Sequence, residues 1–203
     1  MKMFYALYRK ELSGARNTFL TLVAIILGID VFLLTRISSL GYWRTFAVTL
    51  IPPPVFLIFW GMFRAFSIVR EEWKEGTAPF LRSLPVSGWS IIGAKLLAVF
   101  TEWVGLNLSA LTLSGLLYAA APLFGAEWLP MADLLPSPDE LRFFVLFVFS
   151  ISWGVLFGGI IFQLAYLLGR TVNRFNGLVS IAATVLLIYI TSKGGEFLVR
   201  LLA

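Results

Sequence analysis

The chain has 203 residues, of which 59% are hydrophobic and only 13% are charged, and its mean hydropathy is +0.89. A soluble domain carries about a quarter charged residues, so this composition indicates a polytopic membrane protein without a separate soluble domain. Cysteine and histidine are absent, which excludes disulfides, Cys/His metal clusters and catalysis by thiolate or imidazole. The net charge of +5 comes from cations beside apolar segments, a positive-inside pattern that argues against nucleic-acid binding.

The first 17 residues combine apolar side chains at helical spacing with basic ones. We expect them to form an amphipathic helix that lies on the membrane surface and anchors the chain there. The residues that indicate this helix are Phe4, Leu7, Tyr8 and Leu12, together with Lys2, Arg9 and Lys10.

Five apolar segments follow, at residues 18–36, 54–69, 89–121, 141–168 and 178–191. They predict an all-α bundle of five membrane spans in one transmembrane domain over residues 1–203. A proline triplet at residues 52–54 predicts a break where the second span begins. Gly194 and Gly195 are expected to break the fifth helix, and the short apolar run after them predicts either a truncated sixth span, which we favour, or an interfacial helix.

The loop charges predict the orientation of the spans. The N-terminal arm is basic, whereas the loop at residues 122–140 has four acidic residues and no Lys or Arg. We therefore expect a cytoplasmic N-terminus and an extracytoplasmic loop at residues 122–140. The alternation of spans then places the loop at residues 70–88 in the cytoplasm.

Residues 70–87 form a charged island between two apolar segments, and we expect a short helix within it. Gly76 is a natural stop for the helix before it, Thr77 can cap a new helix, and Ser87 can cap the third span. The short helix would carry an apolar knob made of Phe80, Leu81 and Leu84. This knob argues against an ordinary charged loop, although the same side chains could lie flat among lipid headgroups.

The order of residues in the island resembles the cytoplasmic loop of permease subunits from the type-2 ABC exporter family. The resemblance rests on Glu72, on Gly76-Thr77, on the run Leu81-x-Ser83-Leu84-Pro85-Val86-Ser87, and on Lys95. It implies a coupling helix that inserts into the ATP-hydrolysing subunit. The contact residues implied in this way are Glu71, Glu72, Gly76, Thr77, Phe80, Leu81, Leu84 and Pro85.

The same resemblance implies the partners and the location of the chain. It implies two ATPase subunits, a second permease that is identical or homologous, and a prokaryotic cytoplasmic membrane. The sequence has no phosphate-binding loop of the form GxxxxGK[ST]. ATP and Mg are therefore expected on the partner ATPase, with no cofactor on this chain.

Several polar residues fall inside the predicted spans, where they are costly. Lys95, Glu102 and Ser109 are seven residues apart and share one helix face, so they either line a substrate path or pack against a neighbouring span. Asp30 either lines the exit of such a path or reaches the headgroups. Arg64 is expected to extend to the inner membrane surface.

Ser150, Gly154 and Gly158 recur every four residues in the fourth apolar segment. Small residues at this spacing let a second helix approach closely. The approaching helix can belong to the same subunit, which is the default, or to another one.

Two other function classes compete with an exporter permease. An intramembrane enzyme would need a Ser/Lys or carboxylate site, and no motif shows the required clustering. A non-transporting assembly or scaffold protein would stimulate no ATPase and would be insensitive to loss of the apolar knob.

Overall fold

A computed structural model describes residues 2–40, 52–77, 79, 83, 85–124, 138–172 and 176–202, and the following statements concern these residues. Five long helices account for most of them: α1 (Lys2–Thr35), α2 (Pro52–Lys74), α3 (Gly88–Ala120), α4 (Pro138–Arg170) and α5 (Asn176–Leu202). A four-residue helix, Ile37–Leu40, follows α1, and a short 3-10 helix, Ala121–Phe124, follows α3. The described part of the chain is thus all-helical, as the sequence predicts.

Four stretches are long and apolar enough to cross a membrane: Met3–Thr35, Gly88–Leu117, Val145–Arg170 and Gly177–Gly194. They lie in α1, α3, α4 and α5, so four of the five predicted spans are supported. Helix α2 lies at the second predicted span, but it begins with prolines and ends in the charged sequence REEWK. It is the span that length and composition alone do not establish.

The helices form a row in which α1 packs on α3, α3 on α2, α2 on α4, and α4 on α5. The main apolar core lies where α2, α3 and α4 meet, and it contains Leu57, Trp103, Leu106 and Val155. Most side chains on the outer faces are large, apolar and exposed. Such a surface is expected of helices that are surrounded by lipid or by other subunits.

The N-terminal arm differs from its prediction, because residues 2–35 form one continuous helix. The chain has no proline in this stretch, so no residue removes a backbone donor from the hydrogen-bond ladder of the helix. A helix of 34 residues is about 51 Å long, which exceeds the hydrocarbon core of a bilayer. The predicted separate interfacial helix at residues 1–17 is therefore wrong: this arm is an extension of α1 that packs along α3.

The C-terminal region also differs from its prediction. Helix α5 runs without interruption from Asn176 to Leu202, through Gly194 and Gly195. Each glycine costs a helix only about 1 kcal/mol relative to alanine, and an ion pair of 2.8 Å between Lys193 and Glu196 bridges the pair. The predicted break is wrong, and the described residues after it belong to α5 instead of a sixth span or a separate interfacial helix.

Close packing around α2 depends on glycines of α2 and α4. A Cβ atom on Gly61 would lie 2.9 Å from Val155 Cγ1, and one on Gly159 would lie 3.2 Å from Ala65 Cβ. A Cβ on Gly158 would collide with the flexible end of Met62. These contacts lie within one subunit, which is the default packing expected for Gly158.

The rest of the predicted small-residue face makes no close packing contact with the residues that the structure describes. Ser150 and Gly154 are exposed, and Gly154 has open space where a side chain would stand. The Ser150 hydroxyl donates to Leu146 O in its own helix. For these two residues the alternative of a contact with another subunit stays a prediction.

Candidate functional site

One end of the bundle, which we call the island end, brings together the start of α1, the end of α2 and the start of α3. Its centre is the ammonium group of Lys95 on α3, whose side chain is only 3% exposed. Lys95 Nζ lies 2.8 Å from Glu11 Oε1 on α1 and 2.6 Å from Glu72 Oε1 on α2. Lys10, which is largely exposed, approaches the same two oxygens to 3.8 Å.

This cluster, which we call the Lys95 network, joins three helices through two cations and two carboxylates. Burial raises the pKa of the Glu72 carboxyl, and the hydrogen bond and charge of Lys95 oppose that rise. Taking two charges out of water is costly, and their mutual attraction offsets this cost only when the partners are close. The short distances therefore hold the helix ends in one arrangement.

A second ion-pair cluster centres on Arg64, which lies about two turns before Glu72 on α2. Its Nη1 atom lies 3.0 Å from Glu71 Oε1 and 3.3 Å from Ser67 Oγ, and its Nε atom lies 3.4 Å from Glu102 Oε2. Glu102 ties Arg64 to α3, and Glu71, which is half exposed, pairs with it from the island end of α2 itself. The expected extension of Arg64 to the membrane surface stays a prediction. The other oxygen of Glu102 is buried and has no hydrogen-bond partner among the described residues.

Helix α2 ends at the island with the geometry that its sequence predicts. Gly76 has φ of 72°, a left-handed conformation that glycine adopts without strain. The Thr77 amide then donates to Glu72 O at 3.0 Å, which is the Schellman ending of a helix. The Thr77 hydroxyl donates to the same carbonyl at 3.3 Å, so its shown role is to close α2.

The far side of the island is also fixed. The Ser90 amide donates to Ser87 Oγ at 3.3 Å at the start of α3, so Ser87 caps this helix as predicted. Pro79 and Ser83 are helical, and Pro85 lies in a bend. The predicted knob of Phe80, Leu81 and Leu84 lies outside the described residues, and its contacts stay a prediction.

The four residues predicted as a substrate path occupy separate environments. Lys95 and Glu102 belong to the two ion-pair clusters, and the Ser109 hydroxyl donates to Gly105 O in its own helix at 2.8 Å. For Lys95 and Glu102 the arrangement favours the packing alternative over an open path, because both side chains form ion pairs with neighbouring helices. For Ser109 both alternatives stay open.

Asp30 stands apart from these clusters. It is 2% exposed, and within the described parts of the chain neither carboxylate oxygen has a hydrogen-bond partner. Along α1 it lies between Phe19, which touches Gly105, and Leu34, which clusters with Leu117. It is therefore remote from the island end, and its role as part of an exit path stays a prediction.

Sequence reasoning identified Lys95, Glu102 and Arg64 but not the pairing of Arg64 with Glu102, and it missed Glu11. A signal for Arg64 was present, because it precedes Glu71 by seven residues and so shares its helix face. Glu11 is the one carboxylate in a basic arm, but only the fold shows that this arm packs along α3.

The acidic residues of the described ranges form no group of three that could hold a metal ion. A scan of protein-family models found no match, and searches of curated proteins and of solved structures found no similar protein.

Proposed function

We propose that the chain is the membrane subunit of an ATP-driven exporter, as the resemblance of its island implies. Two separate ATPase subunits would bind ATP and Mg, and a second permease, identical or homologous, would complete the transporter. The membrane would be a prokaryotic cytoplasmic membrane, with the N-terminus and the island in the cytoplasm. The exported substrate would be apolar or amphipathic.

The observation that carries this proposal is the Lys95 network. A coupling element must transmit a movement from a soluble motor to the membrane helices. The residues that connect it to those helices must therefore be held by firm contacts. Glu72, in the last turn of α2 before the island, is held by Lys95 of α3, and Lys95 is held by Glu11 of α1. A displacement of the island would therefore act on three helices together.

The described residues of the motif that suggested the family have structural roles at the end of α2. Glu72 supplies the carbonyl that ends α2 and the carboxylate that pairs with Lys95, while Gly76 supplies the left-handed turn and Thr77 closes it. We infer that Glu72 positions the island, whereas other residues of the loop contact the ATPase. That surface would comprise Glu71, Gly76, Thr77, Phe80, Leu81, Leu84 and Pro85.

The proposal predicts that Leu81→Asp with Leu84→Asp leaves the protein inserted and folded but separates it from its ATPase. Charges on an apolar contact must be desolvated without partners, so binding should be lost. ATPase co-purification and ATP turnover of the complex are the measurements. Leu123→Asp with Phe124→Asp, exposed at the opposite end of the bundle, is the charge-matched control.

Loss of co-purification in the island variant alone is the expected result. Unchanged association and unchanged turnover would remove the contact assignment and leave a scaffold as the better explanation. Chemical turnover by the purified chain without any ATPase would instead favour an intramembrane enzyme.

A further inference from the structure

A second feature of the island end is a cavity of about 520 Å³ between α2, α4 and α5. Its walls are mainly apolar, and Phe63 and Phe162 pack together there with ring centroids 6.2 Å apart. It opens between helices, and Phe63 and Ile181 at its edge are 62% and 64% exposed. An acyl chain in the membrane would therefore reach it without crossing the bundle.

Two arginines give this cavity a polar end. Arg70 follows Phe63 and Phe66 along α2, and Arg170 follows Phe162 and Tyr166 along α4, so both guanidinium groups lie toward the island end. Among the described residues, neither has a carboxylate within ion-pair distance. This contrasts with Arg64, Lys95 and Lys193, each of which is paired.

Arg170 is held in place by aromatic side chains instead of by a carboxylate. Its Nε donates to the Tyr166 hydroxyl at 3.2 Å, and its guanidinium carbon lies 5.4 Å from the Trp73 ring centroid. Contacts with ring faces leave the charge of a guanidinium in place and leave N–H groups for another acceptor. The site therefore has a positioned cation, a second cation that lines the same cavity, and a mainly apolar wall.

We propose that this cavity binds an anionic phospholipid from the leaflet at the island end. Its phosphate would lie between Arg70 and Arg170, and one acyl chain would follow the wall formed by Phe63, Phe162 and Ile181. Guanidinium groups bind phosphate by charge-assisted hydrogen bonds, and basic pockets between membrane helices are suited to anionic headgroups. The apolar wall favours a lipid over a soluble phosphate, because only a lipid has an acyl chain that can pack against it.

This inference does not depend on the exporter proposal, because lipid binding requires neither an ATPase nor transport. The test uses the purified full chain in a neutral detergent. Native mass spectrometry would measure the affinity for phosphatidylglycerol and for phosphatidylcholine. We expect the anionic lipid to bind more tightly, and Arg70→Gln with Arg170→Gln to weaken its binding roughly 30-fold, as two lost charges near a membrane surface imply.

The control variant is Arg9→Gln with Arg16→Gln, which removes the same charge from exposed positions on α1 that do not line the cavity. It should retain the wild-type affinity. If the double variant folds poorly, Arg70→Gln alone tests the same site, because it leaves the contacts of Arg170 intact. It should also weaken binding of the anionic lipid. Arg70→Lys should keep most of the affinity, because the charge is retained.

The apolar half of the site is tested separately. Ile181→Trp fills the cavity from an exposed position and should reduce lipid binding without changing the net charge. Inorganic phosphate and glycerol phosphate at millimolar concentration should not displace the lipid. The proposal would be overturned if both lipids bound equally well, or if the α1 control lost as much lipid affinity as the cavity variant. Full displacement of the lipid by phosphate would also overturn it, because the cavity would then be a simple anion site.

Discussion

At the scale of single residues, the least replaceable side chain of the island end is that of Lys95. It is buried and pairs with two carboxylates from two other helices, so its removal leaves Glu11 and Glu72 facing each other with only the more distant, exposed Lys10 beside them. Breaking a buried ion pair by removing one partner is far more damaging than replacing the whole pair, because an uncompensated charge stays in a poorly solvated place.

We predict that Lys95→Met destabilises the protein by about 3–5 kcal/mol, the cost typical of an orphaned buried charge. Lys10→Met is the matched control: its ammonium group lies 3.8 Å from the same oxygens but is 57% exposed, so we expect a loss below about 1 kcal/mol. Thermal unfolding in detergent, followed by circular dichroism, measures both. Similar losses in the two variants would contradict the central place of Lys95.

A triple variant separates the ion pairs from the packing of the methionine. Adding Glu11→Gln and Glu72→Gln to Lys95→Met removes all the charges that Lys95 balances. We expect this variant to recover part of the lost stability, because the remaining amides are far cheaper to bury than carboxylates. No recovery would mean that the loss in Lys95→Met came from packing.

The sequence predicted the polar residues of this site better than their partners. Lys95 and Glu102 were found because charge inside an apolar segment is costly wherever it points. Their partners depend on which helix lies opposite, and α1, α2 and α3 are brought together only by tertiary packing. A single sequence carries no direct record of that pairing.

At the scale of helices, the close approach between α2 and α4 depends on small residues at particular positions. Gly159 is buried against Ala65 and Leu96, whereas Gly154, five residues earlier on the same helix, faces open space. The sequence identified a small-residue face on α4 by spacing, but spacing did not reveal that its two ends have different surroundings. Gly61 and Gly159, which lie close to Val155 and to Ala65, were outside that pattern.

We predict that Gly159→Leu destabilises the protein by about 1–3 kcal/mol, because the added side chain must push α2 away from α4. Gly154→Leu, the matched control, should leave the melting temperature of the monomer almost unchanged. The two melting temperatures in detergent are the measurement. A loss of dimer without a loss of monomer stability in Gly154→Leu would indicate that this exposed face contacts a second subunit.

Helix ends were predictable only where the local signal was strong. The stop at Gly76 and the cap at Ser87 follow from backbone conformation and hydrogen bonding within a few residues, and both are present. The boundary after residue 17 and the break at Gly194 were inferred from amphipathicity and from a glycine pair. Those signals are weak, and a helix already in progress continues through them.

At the scale of the whole molecule, the row of five helices leaves the membrane status of α2 as the main question about topology. Helix α2 is 23 residues long, about 35 Å, which is enough to cross the hydrocarbon core. Its charged residues reduce its hydropathy, but Arg64 and Glu72 are paired with neighbouring helices and need not face lipid. We therefore expect α2 to cross the membrane although its composition alone does not establish this.

We predict that Ser39 and Glu75, before and after α2, lie on opposite sides of the membrane, with Glu75 in the cytoplasm. The chain has no cysteine, so Ser39→Cys, Glu75→Cys and Leu123→Cys each create a single labelling site. A membrane-impermeant maleimide applied to intact cells should label positions 39 and 123 but reach position 75 only after lysis. Labelling of positions 39 and 75 from the same side would show that α2 does not cross.

The two ion-pair clusters on α2 also determine the rotational setting of that helix. Arg64 and Glu72 are eight residues apart and reach separate partners on α3, Glu102 and Lys95. Turning α2 by one residue would swing both side chains through about 100°, and sliding it by one residue would shift both by about 1.5 Å. Either movement would break both ion pairs with α3 at once. We therefore expect α2 and α3 to move as one unit, without rotation or sliding between them.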